Sequence, residues 1–156
     1  MLTKEFINPH PMGFTNTVAY TAQGIKTIVV SGQVGFEDGR FGETFEEQAE
    51  MAHRNLVEEL AAAGAGVADV IKINSYVVDL DSERSKALSQ AKAKYFTQTD
   101  QPASTVIGIS ALVMKQLQVE IEATAVIAPA GRSSAPPTAL TSCRTMGRSE
   151  TCRDTA

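Results

Sequence analysis

Residues 101–127, QPASTVIGISALVMKQLQVEIEATAVI, decide the fold, because they read as two consecutive strands whose faces differ in kind. In the final run Val119, Ile121, Ala123, Ala125 and Ile127 alternate with Gln118, Glu120, Glu122, Thr124 and Val126. A period of two belongs to a strand, not to a helix. One face of this strand is therefore apolar, and the other carries two carboxylates. Upstream, Thr105, Ile107, Ile109 and Ala111 alternate with Val106, Gly108, Ser110 and Leu112, which puts apolar groups on both faces over much of the length. Such a strand is expected to be covered on both sides.

Working outward, residues 1–17 contain Pro9 and Pro11 around His10, followed by Met12-Gly13-Phe14, and predict an irregular lead-in. A first strand is expected at 18–22. Residues 27–36 form the strongest strand of the amino-terminal half, with consecutive Ile28, Val29 and Val30, and Glu37-Asp38-Gly39-Arg40 gives a turn signal. Thr44-Phe45-Glu46-Glu47 has the capping-box pattern that starts a helix. Phe45, Ala49, Ala52, Leu56, Leu60 and Ala63 then recur at steps of three or four as one apolar stripe, with Gly64 and Gly66 available as stops. His53 lies beside that stripe and is expected to be a solvated surface histidine.

Residues 70–79 read as the next strand, with Ile71, Ile73, Ser75 and Val77 on one side and Lys72, Asn74, Tyr76 and Val78 on the other. Asn74 and Tyr76 are expected at a surface or an interface. Asp81 or Ser82 is placed to cap a second helix ending near Thr97, and Leu88, Ala91 and Tyr95 share one face of it. The order strand, strand, helix, strand, helix, strand, strand predicts an α+β fold with two helices on one face of a mixed sheet. The strands carry bulk on both faces while the helices cover only one. Another copy of the chain is the simplest cover for the second face.

The chain has 156 residues, of which 43% are hydrophobic and 21% charged, which suits one domain with a substantial core. Residues 129–156 are rich in Ser, Thr, Pro and Arg without a periodic apolar face and are expected to be a disordered polar tail, leaving 1–128 as the domain. Four of the fourteen basic and two of the eighteen acidic residues lie in that tail, which leaves ten against sixteen before it. This acidic balance argues against a nucleic-acid partner. No apolar run reaches the roughly 20 residues that span a bilayer, and no secretory-type start is apparent, so a cytoplasmic protein is expected without a membrane partner. Cys143 and Cys152 fall in the tail and lack the partners of a zinc site.

No nucleophile elbow, phosphate loop, dinucleotide fingerprint or paired-histidine metal motif occurs, so neither a cofactor nor a metal is implied. By residue pattern alone, Glu120 and Glu122 are ordinary carboxylates on a sheet face. However, Ser31-Gly32-Gln33-Val34-Gly35, Pro102-Ala103-Ser104-Thr105 and Val119-Glu120-Ile121-Glu122-Ala123 resemble the three signature blocks of the RidA (YjgF) family of reactive-intermediate deaminases, with order and spacing matching from about Pro11 to Ala128. That resemblance implies a chorismate-mutase-like fold and a homotrimer with a central barrel and a small-molecule pocket at each subunit interface. It makes Glu120 the catalytic carboxylate that positions water, with Ser31 as a pocket residue and Gln33 beside it in the same block. Phe14 stands where the family has a pocket Tyr.

The chain departs from the family where catalytic members read Pro-Ala-Arg-Ser. Ser104 replaces the Arg that pairs with the carboxylate of a 2-imino acid, and Val106 replaces the adjacent Cys. Losing such a charge-assisted fork costs on the order of 2 to 5 kcal/mol, or roughly 30-fold to several thousand-fold in binding or rate. Three readings follow. The chain is an enzyme on another imine, enamine or related metabolite, with Ser104 and Thr105 as hydrogen-bond donors and Phe14 as an apolar wall; or a binding or sensing trimer without turnover; or, least supported by charge, a nuclease.

Overall fold

The structure, a computed structural model, describes residues 1–97, 99 and 101–129. The elements run β1 (Thr3–His10), β2 (Phe14–Ala22), β3 (Ile25–Val34), β4 (Phe36–Glu37), β5 (Arg40–Phe41), α1 (Phe45–Ala62), a 3-10 turn (Val67–Asp69), β6 (Val70–Val78), α2 (Ser82–Ala93), β7 (Ala103–Ile109) and β8 (Val119–Ile127). Six strands form one sheet in the order β1-β2-β3-β8-β6-β7, and β4 with β5 forms a separate two-stranded ribbon. Only the β6–β7 pair is parallel, with α2 in the crossover, so the α+β layering and mixed sheet are as expected.

β8 lies between β3 and β6 because its two faces suit that position. Val119, Ile121, Ala123 and Ala125 are buried on the helix side, while Glu120, Glu122 and Thr124 point to the open side. The α1 stripe of Phe45, Ala49, Ala52, Leu56, Leu60 and Ala63 is buried throughout and packs on β3 and β8. Thr44 Oγ1 accepts from the Glu47 amide at 3.2 Å, as a cap should, but the Glu47 carboxylate reaches back to the Glu43 amide at 2.8 Å instead of to Thr44. Gly64, at φ +81°, stops the helix in the left-handed conformation that favours glycine.

The amino-terminal stretch is a correction. It is an antiparallel hairpin, with Thr3 opposite Thr21 and His10 opposite Phe14, where an irregular lead-in was expected. Pro9 is tolerated because β1 is the sheet edge, where a missing N–H breaks no ladder bond. Glu59 of α1 anchors this hairpin, accepting from Thr17 Oγ1 at 2.8 Å and from Asn8 and Asn16 Nδ2 at 3.1 Å. The Glu37–Arg40 turn signal corresponds to the β4–β5 ribbon, with Asp38 at φ +50° and Gly39 at φ +81°.

Two bulges account for further differences. A register shift between Val70 and Lys72 leaves Ile71 exposed while Ile73 is buried, although the two were expected on the same side of the strand. A second shift between Val30 and Gln33 on β3 returns Gln33 to the buried face and leaves Ser31 and Gly32 at the bend. α2 is capped by Asp81, whose carboxylate accepts from the Arg84 amide at 2.8 Å, and ends at Ala93 rather than near Thr97. β7 is an exposed edge strand in the single chain, so the cover expected on both its sides is not supplied by the described residues. A row Phe6, Val18, Val29, Thr124 runs across the open face, with Phe6 66% and Val29 46% exposed. Residues 130–156, including the expected tail and both cysteines, lie outside the described residues.

His53 is a second correction: it is 1% exposed, not solvated. The stripe faces the sheet, but α2 and the segment after it pack on the other side of α1 and close over His53, whose ring stacks on Tyr95 at 6.1 Å and meets the edge of Phe96. Nδ1 lies 2.7 Å from the Ala49 carbonyl, and Nε2 has no partner. Burial, and then Lys92 to a lesser degree, pushes its pKa down from 6.5 to about 4, against the opposing backbone hydrogen bond. Between about pH 4 and 6.5 the unfolded chain binds the proton and the folded chain does not, so stability falls as pH drops through that window. The loss approaches about 3 kcal/mol below it. Comparing urea midpoints near neutrality and at about pH 4.5, we expect wild type to lose clearly more than His53→Leu; equal losses would contradict the assignment.

Candidate active site

The bend in β3 and the polar face of β8 meet at one place. Glu120 lies in register between Val34 of β3 and Tyr76 of β6, and its carboxyl group rests across Gly32. A Cβ at position 32 would stand 1.7 Å from Glu120 Oε1 and 2.7 Å from Cγ, so only glycine leaves room for this placement. Burial, and secondarily the charge of Glu122, raises the Glu120 pKa above the ordinary glutamate value. The carboxyl makes no hydrogen bond or ion pair among the described residues. It is thus a half-buried, unengaged proton acceptor.

Glu122 differs in just this respect. Its Oε1 accepts from Asn74 Nδ2 and from Tyr76 Oη, both at 2.9 Å, so the two polar residues of β6 hold it in place. The bond to Glu122, with burial second, raises the Tyr76 pKa and keeps the phenol protonated. Glu122 is the structural partner and Glu120 the free one.

Glu120 opens into a cleft of about 590 Å³. Ser31, Gly32 and Val34 form its floor, and Phe36 and Phe41 of the ribbon form one wall. The β1–β2 hairpin contributes His10, Met12 and Phe14, and the β7–β8 connection contributes Val113, Met114 and Leu117. Two amides of α1 fix these walls. Gln48 Nε2 donates to the Gly42 and Gln116 carbonyls at 2.9 and 2.8 Å while its Oε1 accepts from the Gln118 amide at 2.9 Å, joining the chain after β5 to the β7–β8 connection. Asn55 Nδ2 donates to the carbonyls of Val34 and Phe36 at 3.0 and 3.1 Å. A Cβ on Gly35 would lie 2.6 Å from the Gln48 Cα, so α1 can approach this closely only past a glycine.

Of the residues singled out from sequence, the fold brings Glu120, Ser31 and Phe14 together. Gln33 does not reach the cleft, since the bulge turns it inward, where its Nε2 donates to the Ser31 carbonyl at 3.1 Å. Ser104 and Thr105 lie exposed on β7 outside the cleft of their own chain, and Thr105 Oγ1 accepts from Lys72 Nζ at 2.6 Å. His10, Met12, Gln48 and Asn55 escaped sequence reasoning. Gln48 alone left a trace there, as a polar residue three positions after Phe45 on an otherwise apolar stripe.

All three arginines in the described residues serve elsewhere. Arg40 pairs with Glu47 at 2.7 Å, Arg54 with Glu37, and Arg84 donates to the Val78 carbonyl and to Gln118 while lying over the Phe45 ring. No Lys or Arg among the described residues lines the cleft. In a ¹³C titration of side-chain carboxyls, Glu120 is expected above the ordinary glutamate range. Glu122→Gln should move it partly back, and Gly32→Ala further, by displacing the carboxyl from its half-buried position. A Glu120 that titrates normally in wild type would refute this geometry.

Comparison with known proteins places the chain in a family and a fold. A family model described as Endoribonuclease L-PSP matches residues 14–127. The chain is 31% identical over 95 residues to the RutC family protein YjgH of Escherichia coli K12, covering 60% of this chain and 72% of that one. It is 28% identical over 123 residues to a 2-iminobutanoate/2-iminopropanoate deaminase of Dermatophagoides farinae, covering 76% of this chain and 90% of that protein. The crystal structure of RidA from an Antarctic Psychrobacter superimposes with a TM-score of 0.66 at 28% identity, covering 79% of this chain and 99% of the other. The fold is accordingly chorismate-mutase-like, and the chain belongs to the RidA (YjgF) family.

Proposed function

We propose that the chain is a hydrolytic deaminase of an imine, an enamine or a related small metabolite, with Glu120 positioning and deprotonating the attacking water. The observation that carries this reading is the unengaged, half-buried Glu120 facing a cleft of ligand size beside Ser31. Its raised pKa brings the carboxylate closer to the proton affinity that general-base catalysis near neutrality needs. The deaminase named among the relatives supports the same class of reaction.

Efficient use of 2-imino acids is not part of the proposal. Ser104 stands at the Arg position of the family pattern, and each described arginine of this chain is engaged outside the cleft. A homotrimer with a central barrel is part of it, because the row Phe6, Val18, Val29 on the open face, exposed at Phe6 and Val29, and the exposed edge β7 both lack cover among the described residues. In such an assembly Ser104 and Thr105 would belong to a neighbour's cleft. The site residues then remain Glu120 for catalysis and Ser104, Thr105, Ser31, Phe14 and Gln33 for substrate, with Gln33 acting through the Ser31 backbone. Residues 1–128 form the working domain, the polar tail is an appendage, and the proposed compartment is the cytoplasm. Among the described residues no helix is long and apolar enough to cross a membrane.

A binding or sensing trimer is the second reading, favoured by the same missing arginine. A nuclease role is not favoured, because among the described residues the cleft is lined by no Lys or Arg and by the acidic Glu120. The deciding assay follows hydrolysis of imines generated in situ from several amino acids. Wild type should be slow on all of them, and Ser104→Arg should gain roughly 30-fold or more, a gain that Glu120→Ala removes. Wild type as fast as Ser104→Arg on common 2-imino acids would refute the role given to position 104. Sedimentation should give the mass of three chains, and a monomer at micromolar concentration would refute the assembly.

A further inference from the structure

His10 was not among the residues that the sequence motifs pointed to, yet it lines the cleft with Glu120. It ends β1 directly opposite Phe14, and the two rings stack at 4.5 Å between centroids with 14° between their planes. The Met12 amide donates to His10 Nδ1 at 3.2 Å. With Nδ1 serving as the acceptor, the neutral ring carries its proton on Nε2, and the turn fixes the plane of the ring. The hairpin thus presents a two-ring aromatic wall whose remaining polar group is a donor.

The rest of the lining narrows what such a wall can take. Apart from His10, Ser31 and Glu120 the cleft is built from glycine and apolar side chains, among them Phe36, Phe41, Met114 and Leu117. Among the described residues no Lys or Arg lines the cleft, so a ligand carboxylate would enter beside Glu120 without a counter-charge from them, whereas a flat cation is attracted both by that carboxylate and by the aromatic faces. The cleft of about 590 Å³ also has far more room than a three- or four-carbon imine needs.

We propose that the cleft selects planar, carboxylate-free iminium ions bearing an apolar or aromatic substituent, with the His10–Phe14 pair as the wall on which they stack. This rests on the hydrolytic reading above and specifies its substrate class. The step is RCH=NH₂⁺ + H₂O → RCHO + NH₄⁺. Glu120 takes a proton from water as the oxygen bonds to the iminium carbon and the C=N π pair moves to nitrogen. Glu120 then returns that proton to nitrogen, the C–N bond breaks with its electron pair on nitrogen, and the hydroxyl proton leaves with the ammonia as the carbonyl forms. His10 Nε2–H is the donor available to the oxygen that becomes the carbonyl.

Two measurements on the full chain separate the substrate class from the reaction. The first is calorimetric binding of benzamidine, a flat non-hydrolysable cation, against benzoate, its anionic counterpart. Benzamidine should bind at least about tenfold more tightly. His10→Ala and Phe14→Ala should each weaken it about fivefold or more, and His10→Phe should keep most of the affinity because it keeps the stack. Both side chains sit at an exposed hairpin end, and unchanged thermal unfolding would confirm that the variants are folded. Benzoate binding as tightly as benzamidine, or indifference of benzamidine to both alanine variants, would overturn the proposal.

The second is hydrolysis of the imine released by an amine oxidase from benzylamine against the imine released by an amino-acid oxidase from phenylalanine. A preference of about tenfold or more in kcat/KM for the carboxylate-free imine is expected, with the alanine variants raising KM more than they lower kcat. Preference for the carboxylate-bearing imine would overturn the proposal. If neither imine is hydrolysed while benzamidine binds as described, the deaminase reading falls and the ligand class stands.

Discussion

Burial of the α1 stripe against β3 and β8 is the constraint on which everything else rests. Phe45, Ala49, Ala52, Leu56 and Leu60 meet Ile28, Val30, Val119, Ile121, Ala123 and Ala125 in one apolar layer. Because strand side chains alternate, committing the odd-numbered residues of β8 to that layer commits Glu120 and Glu122 to the opposite face. The position of the carboxylates is thus a by-product of core formation. Water and ligands reach them because the helices cover only the other side.

A second constraint converts this face into a cleft. α1 approaches the end of β3 closely past Gly35, and there Gln48 and Asn55 spend their amide groups on carbonyls and an amide of the surrounding chain. Buried backbone groups outside the main sheet would otherwise lack partners, and a side-chain amide with both donors and an acceptor can satisfy several of them at once. These bonds tie the ribbon and the β7–β8 connection to α1 at a fixed spacing, and the cleft lies between them.

Electrostatics then separates two carboxylates that look alike in the sequence. Glu122 is held by Asn74 and Tyr76, while Glu120 gains no hydrogen-bond partner among the described residues, loses part of its hydration and feels the charge of its neighbour two residues away. Each effect disfavours the ionised form of Glu120. The three described arginines stabilise loops and helix ends, and the cleft keeps its negative character.

The sequence by itself determined the elements whose periodicity is long and unambiguous: α1 with its cap and stop, β6, β8 and the layered α+β class. It also singled out Glu120 and Ser31, because the signature blocks are contiguous. What it could not determine depends on partners distant in the chain. Pro9 is compatible with a strand only at a sheet edge, and no local pattern states which strand is the edge. One extra residue in β3 turns Gln33 inward, and one in β6 turns Ile71 outward, through registers set by β8. His53 looks solvated on a helical wheel built around one stripe, and only the packing of α2 on the far side buries it. The His10–Phe14 stack exists only once the hairpin has turned back on itself, and the bonds of Gln48 to Gln116 and Gln118 span 68 and 70 residues, a separation that leaves almost no mark on local composition.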